Sequence, residues 1–275
     1  MELQNNLEKF RAKGLGVAAI SYDSTAVLKS FAGRRHITFP LLSDPDSKII
    51  RAFGILNDTV QEGTAQYGIP YPGTYFVDRT GRVTAKYFED DYTQRYMSAD
   101  ILVRQFGESA GAAHATFEGK HLRVSASASN ASVRAGQRIS LVLDVELGPR
   151  LHVYAPGVSA EYIAINWSMQ NSPAVLVKDV AYPASKNLRL EAIKETVPVY
   201  QGAFRLVRDV TIARDAAVRP LLDAEGRLVI EGALKYQACD DRICYPPETV
   251  PVRWTFQMEA LDRERAPADL QRKGR

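Results

Sequence analysis

From residue 118 to about residue 258, apolar side chains fall at every second position, and this period of two constrains the fold most. Ile139, Leu141, Leu143, Val145 and Leu147 share one strand face, as do Ile163, Ile165 and Trp167. Phe204 with Leu206, and Val250, Val252, Trp254 and Phe256, repeat the pattern. A strand points successive side chains to opposite faces, so each run buries one face and leaves the other to solvent. About seven or eight such runs, separated by Gly, Pro, Asn or Asp turns, predict an antiparallel β-sandwich over 118–258.

Residues 1–107 read differently. Leu3, Leu7 and Phe10 recur at helical spacing and Gly14 closes that helix. Val17–Ile20 reads as a buried strand. Residues 24–35 return to helix, with Leu28 and Phe31 expected inward, and Phe39–Leu42 is a short strand. Asp46 or Ser47 is placed to cap a helix ending at Phe53 and Gly54. Thr74–Val77 and Arg82–Tyr87 flank Asp78-Arg-Thr-Gly81, a hairpin signal, and an amphipathic helix covers about 97–106. Alternating helices and strands imply an α/β sheet. Residues 108–117 are small and aperiodic and read as a linker, while 259–275 form a charged tail. At 275 residues the chain is long for one domain and comfortable for two.

Composition narrows the class of function. A hydrophobic share of 45% with 24% charged residues excludes a disordered chain. The formal charge of +3 is small and its basic residues are scattered, which argues against a nucleic-acid partner. No apolar stretch reaches the roughly 20 residues of a membrane span. The polar start Met1-Glu-Leu-Gln-Asn-Asn lacks the apolar core of an export signal.

Cys239 and Cys244 are the only cysteines. Leu228–Tyr236 and Glu248–Phe256 are expected to pair as antiparallel strands, which sets the two cysteines opposite each other across the connection. Opposed residues in such a ladder lie about 4.5–5.5 Å apart at Cα, within the range a disulfide tolerates. Closing so short a loop stabilises a fold by only about 2 kcal/mol in the chain-entropy model, which favours reversible redox chemistry over a staple. A passive hairpin disulfide remains the competing reading. Asp240 and Asp241 disfavour a thiolate at Cys239, and Arg242 favours one at Cys244. Cys244 is therefore the candidate for the attacking or attacked sulfur and Cys239 the resolving one.

The run Tyr236-Gln-Ala-Cys239 through Cys244-Tyr-Pro-Pro-Glu-Thr249 resembles the active-site hairpin of the N-terminal domain of the DsbD thiol:disulfide interchange family, with one residue fewer between the cysteines. The resemblance spans 118–258. It implies an immunoglobulin-like module in the bacterial periplasm, or another exported location, that exchanges electrons with thioredoxin-fold proteins or a membrane electron donor through a mixed disulfide on the second cysteine. It also implies a cap over the pair at Glu191–Tyr200, with Glu191 as its acidic residue and Ile193 in place of a shielding aromatic. His152 and Tyr154 fall on a strand that carries aromatic residues near the cysteines. His152 is a candidate to polarise a thiol or a purely structural histidine.

Phe39-Pro-Leu-Leu-Ser-Asp-Pro45 and Tyr71-Pro72-Gly-Thr-Tyr-Phe-Val-Asp-Arg-Thr-Gly81 are similar to the peroxiredoxin, or AhpC/TSA, branch of the thioredoxin fold. That resemblance implies a cis-proline at Pro72. The family's active cysteine and the strand before it are expected upstream of residue 1, so the first domain reads as truncated. Gly73 stands where many peroxiredoxins have an arginine. No cysteine occurs in 1–107, and peroxidase activity by this chain is not expected.

His36, His114 and His121 show no metal-ligand spacing, and Glu89-Asp90-Asp91 reads as a solvated turn. No metal or cofactor is expected. The resulting expectation is a truncated thioredoxin-like α/β domain followed by an immunoglobulin-like sandwich, acting in thiol–disulfide exchange. The alternatives are a binding module with a structural disulfide, or a peroxiredoxin-type antioxidant whose cysteine lies outside the chain.

Overall fold

The computed structural model of the chain describes residues 2–88, 96–108, 112–190, 194–260, 264 and 266–270. Two compact units are present, residues 1–101 with 261–275, and residues 102–260.

The first unit runs α1 (Glu2–Asn5), α2 (Leu7–Ala12), β1 (Ala19–Ser21), α3 (Thr25–Arg35), β2 (Leu41–Ser43), α4 (Lys48–Ala52), β3 (Gly73–Val77) and β4 (Val83–Phe88). β1 pairs with β2 in parallel, and β3 pairs with β4 antiparallel around the Asp78–Gly81 turn. Asp78 Oδ1 accepts from the amides of Thr80 and Arg82, which closes the turn anticipated there. Ser24 caps α3 by accepting from the Val27 amide. Leu28 is buried as expected, but Phe31 is 38% exposed. The cap of α4 also differs. Ser47 makes no capping bond and donates instead to Gly68 O, while Asp44 accepts from the amides of Lys48 and Ile50. A carboxylate has two oxygens for two orphan amides, so Asp44 satisfies what one serine hydroxyl cannot.

Helix α5 (Ser98–Phe106) is followed by the sandwich strands β5 (Ala112–Glu118), β6 (Leu122–Ala128), β7 (Ser132–Val133), β8 (Arg138–Leu147), β9 (His152–Tyr154), β10 (Asn166–Met169), β11 (Val175–Ala181), β12 (Lys186–Leu190), β13 (Glu195–Gln201) and β14 (Ala203–Ile212). After α6 (Asp215–Val218) come β15 (Arg227–Tyr236), β16 (Ala238–Cys239) and β17 (Glu248–Met258). They form sheets ordered β10-β15-β17-β7, β11-β14-β8-β6-β5 and β12-β13-β9-β16. Residues 112–117, expected to be linker, lie in β5 and pair with β6. Small residues lack an apolar signature, yet the open edge of β6 supplies hydrogen-bond partners, so tertiary pairing overrides the local pattern.

The period-two residues meet as intended. Leu141, Leu143, Val145, Trp167, Val252, Trp254 and Phe256 belong to one buried cluster, where Trp167 and Trp254 stack at 5.5 Å. One charged group is built into this unit. Asp209, 0% exposed, accepts from Arg138 Nε at 2.8 Å, Arg104 Nε at 3.0 Å and Ser140 Oγ at 2.8 Å. Its carboxylate is fully partnered, the condition under which a buried charge is tolerated. Among the described residues, no helix is long and apolar enough to cross a membrane.

Candidate functional site: the Cys239–Cys244 hairpin

β15 and β17 pair as the sequence suggests, from Leu228 opposite Phe256 to Tyr236 opposite Glu248. At Gln237 the chain leaves this sheet. Its side-chain amide donates to Tyr245 O at 3.0 Å, and β16 then pairs with β9, placing Cys239 opposite His152. Asp240 closes the tip. Its Oδ1 accepts from the amides of Arg242 and Ile243, both at 2.8 Å, and its Oδ2 from the Tyr245 hydroxyl at 3.0 Å. These bonds, led by the Ile243 amide and then the Arg242 amide, hold its carboxyl below the usual range. Asp240 is thus occupied with the turn, and the charge of Arg242 helps lower this carboxyl. Tyr245 is braced from the other side by the ring of His121, stacked at 4.3 Å.

The two cysteines are joined as a disulfide, with their Cα atoms 4.0 Å apart. They are unequal. Cys239 is 1% exposed and belongs to an apolar cluster with Tyr154, Val197 and Val199, whereas Cys244 is exposed beside Ile243, itself 56% exposed. The Tyr154 hydroxyl lies 3.5 Å from Cys244 Sγ and 3.7 Å from Cys239 Sγ. Neither sulfur of a disulfide carries a proton, so the phenol is the donor. Burial raises its pKa, which keeps that proton in place.

His152 is 2% exposed, and its ring meets the Tyr154 ring edge-on at 5.6 Å. Burial lowers its pKa, opposed by the charges of Asp241 and Asp240. Its Nε2 has no partner among the described residues. Two residues not singled out in the sequence complete the wall. Tyr162 packs on Tyr154 at 4.6 Å between ring centres, and its hydroxyl donates to Glu195 Oε2 at 2.6 Å, which pushes the Tyr162 pKa up to about 12. The cap expected at 191–200 is strand from Glu195 onward, because 195–199 pair with Lys186–Leu190 in a hairpin. Glu191 and Ile193 lie outside the described residues.

In the first unit no cis peptide bond occurs among the described residues, so Pro72 is trans. No cysteine exists in 1–107 for it to face. At Gly73 a Cβ would lie 2.1 Å from Phe88 Cε1, so no larger side chain fits there without displacing that ring. His36 is the left-handed C-cap of α3. The side chain of His114 and the cluster Glu89-Asp90-Asp91 lie outside the described residues. Among those described, no group of three or more His, Cys, Asp or Glu could hold a metal ion.

The chain is thus a thioredoxin-like α/β part joined to an immunoglobulin-like sandwich that carries a half-buried hairpin disulfide. Residues 121–254 match the family model for thiol:disulfide interchange protein DsbD, N-terminal, and residues 1–86 match that of the AhpC/TSA family. A putative peroxiredoxin of Mycobacterium tuberculosis strain CDC 1551 is 34% identical over 82 residues, 30% of this chain and 52% of the relative. Peroxiredoxin Bcp of Escherichia coli K12 is 28% identical over 108 residues, 39% of this chain and 67% of the relative. The chain therefore spans about half the length of the first of these relatives. Among solved structures, the N-terminal periplasmic domain of ScsB from Proteus mirabilis has a TM-score of 0.36 at 16% identity, covering 58% of this chain and 55% of that one. The reduced DsbD N-terminal domain of Neisseria meningitidis has a TM-score of 0.25 at 14% identity, covering 43% and 82%.

Proposed function

We propose that the chain is a thiol–disulfide oxidoreductase that passes two electrons between redox partners through Cys239 and Cys244. The observation that carries this is the asymmetry of the closed pair: one cysteine is exposed, and its mate is buried beside a tyrosine hydroxyl. A thiolate of a thioredoxin-fold dithiol attacks Cys244 Sγ. The Cys239–Cys244 bond breaks, its electron pair moves to Cys239 Sγ, and the Tyr154 hydroxyl donates a hydrogen bond to that sulfur. Cys244 is then held to the partner as a mixed disulfide. The partner's second thiolate attacks the partner sulfur and releases Cys244. The two protons of the partner's thiols end on Cys239 and Cys244, and the partner leaves oxidised. The reverse sequence oxidises the pair.

Partners of this chemistry are thioredoxin-fold proteins or a membrane electron donor, and the match to the DsbD N-terminal family supports both. An exported, oxidising compartment such as the periplasm suits a pair that rests as a disulfide. The site needs no cofactor.

The test mixes the oxidised chain with a reduced thioredoxin-fold protein, then quenches with acid, alkylates and weighs the products. Double alkylation at Cys239 and Cys244, matched by oxidation of the partner, is expected. A disulfide that survives excess partner would leave the structural-staple reading in its place.

A further inference from the structure

Along β14, Leu206, Arg208 and Val210 share one face, and Leu206 and Val210 are fully buried in the sandwich core. Arg208 therefore projects to the core side of its sheet, where a charge is costly without a counter-ion. Its guanidinium carbon stands 5.3 Å over the Trp167 ring, a favourable cation–π position but not a neutralising one. Its Nε is buried and has no hydrogen-bond partner among the described residues. Burial lowers the guanidinium pKa, opposed by the nearby Tyr182 and Asp179.

Arg208 and Trp167 line one open cleft of about 510 Å³, together with Asn166, Ser168, Gln170 and Ser172. The cleft lies where β10 and β11 end their respective sheets, each with a neighbour on one side alone. No residue of the 236–249 hairpin lines it. A cationic side chain with an unsatisfied N–H, in an open cleft that also carries the polar groups of Asn166, Ser168, Gln170 and Ser172 among apolar ones, asks for an anionic acceptor. A guanidinium presents parallel N–H groups that match a carboxylate. With a single cation and Asp179 nearby, the charge suits a monoanion better than a dianionic phosphate.

We propose that this edge cleft binds a carboxylate, held by Arg208 over Trp167. The inference stands apart from the thiol chemistry and survives its failure. The carboxylate has two possible sources, a free small organic acid or the carboxylate of a peptide lying along β10, whose outer backbone edge faces no strand.

The intact chain is titrated at constant ionic strength while tryptophan emission is followed, because Trp167 is one of two tryptophans and forms the floor under Arg208. The probes are acetate against acetamide, and a short peptide with a free C-terminal carboxylate against its amide. Saturable binding of a carboxylate, absent with its neutral counterpart, is expected. Response to both acetate and the free-acid peptide assigns a small anion. Response to the peptide alone assigns an extended partner. Arg208→Gln is expected to weaken binding by about tenfold or more, and Arg208→Lys, which keeps the charge but not the fork, by less. Circular dichroism checks both variants. If Arg208→Gln does not fold, Arg208→Lys and the charged–neutral probe pairs decide. Equal responses to charged and neutral probes, or undiminished binding in a folded Arg208→Gln protein, overturn the proposal.

Discussion

The two compact units use apolar residues in opposite ways. In residues 102–260, strands of up to 11 residues enclose one continuous core around Trp167 and Trp254. In the first unit the described strands stay in two separate pairs, and Phe31, Leu42, Ile49, Phe53, Val77 and Val83 remain exposed. Both carry family-level signals, yet only the sandwich carries cysteine. The long β15–β17 ladder frames the two-residue strand β16 and its return, so that Cys239 lies buried and Cys244 exposed. Turn and helix signals can persist in a segment without such a frame.

The comparison breaks most visibly at the cysteines. Cys244→Ser is expected to abolish exchange with a thioredoxin-fold partner. Reduced Cys239→Ser mixed with the disulfide form of the partner should accumulate a mixed disulfide on Cys244, the partner's other sulfur leaving as a thiolate, detected as a covalent adduct on non-reducing gels. Peroxide consumption by the Cys239→Ser/Cys244→Ser chain would move the chemistry to the first unit and overturn the contrast.

Stability sharpens it next. Asp209→Ala leaves Arg138 buried without its partner and is expected to cost about 3–5 kcal/mol in chemical denaturation. Phe53→Ala, at an exposed position of the first unit, should change stability by about 0.5 kcal/mol or less. Comparable losses from both would mean that the first unit is as tightly packed as the second.

Tyr154→Phe removes the donor facing both sulfurs and is expected to slow exchange about tenfold, the size of one hydrogen bond to a charged sulfur, with the fold intact. Stopped-flow measurement of partner oxidation reads this directly.

The smallest effect concerns His152. Burial depresses its folded pKa below the ordinary 6.5, so as pH falls the unfolded chain takes up a proton before the folded one does. Stability is therefore fully present above about pH 6.5 and declines as pH falls toward the lower folded value. The thermal midpoint of the wild type should drop over that window, and His152→Phe should flatten the drop.

Much of this was legible in sequence because it is local or periodic. Alternation located the β15–β17 ladder, and the flanks of Cys239 and Cys244 identified the hairpin. What was missed depends on contacts distant along the chain. Tyr162 and Glu195 meet across 33 residues and join Tyr154 only in the folded sandwich. Asp240 could be read in sequence only through its charge beside Cys239, whereas its three hydrogen bonds also make it the staple of the turn. Residues 112–117 have no amphipathic pattern to read, since their strand pairing is dictated by β6. Arg208 did leave a trace: it interrupts the apolar parity of Leu206 and Val210, and parity alone points it inward.

Equilibration of the Cys239–Cys244 pair in glutathione buffers of graded potential tests the central claim most directly. The account predicts a midpoint above about −300 mV, in the range where disulfides are labile and exchange-active. A midpoint below that value, typical of structural disulfides, would contradict it.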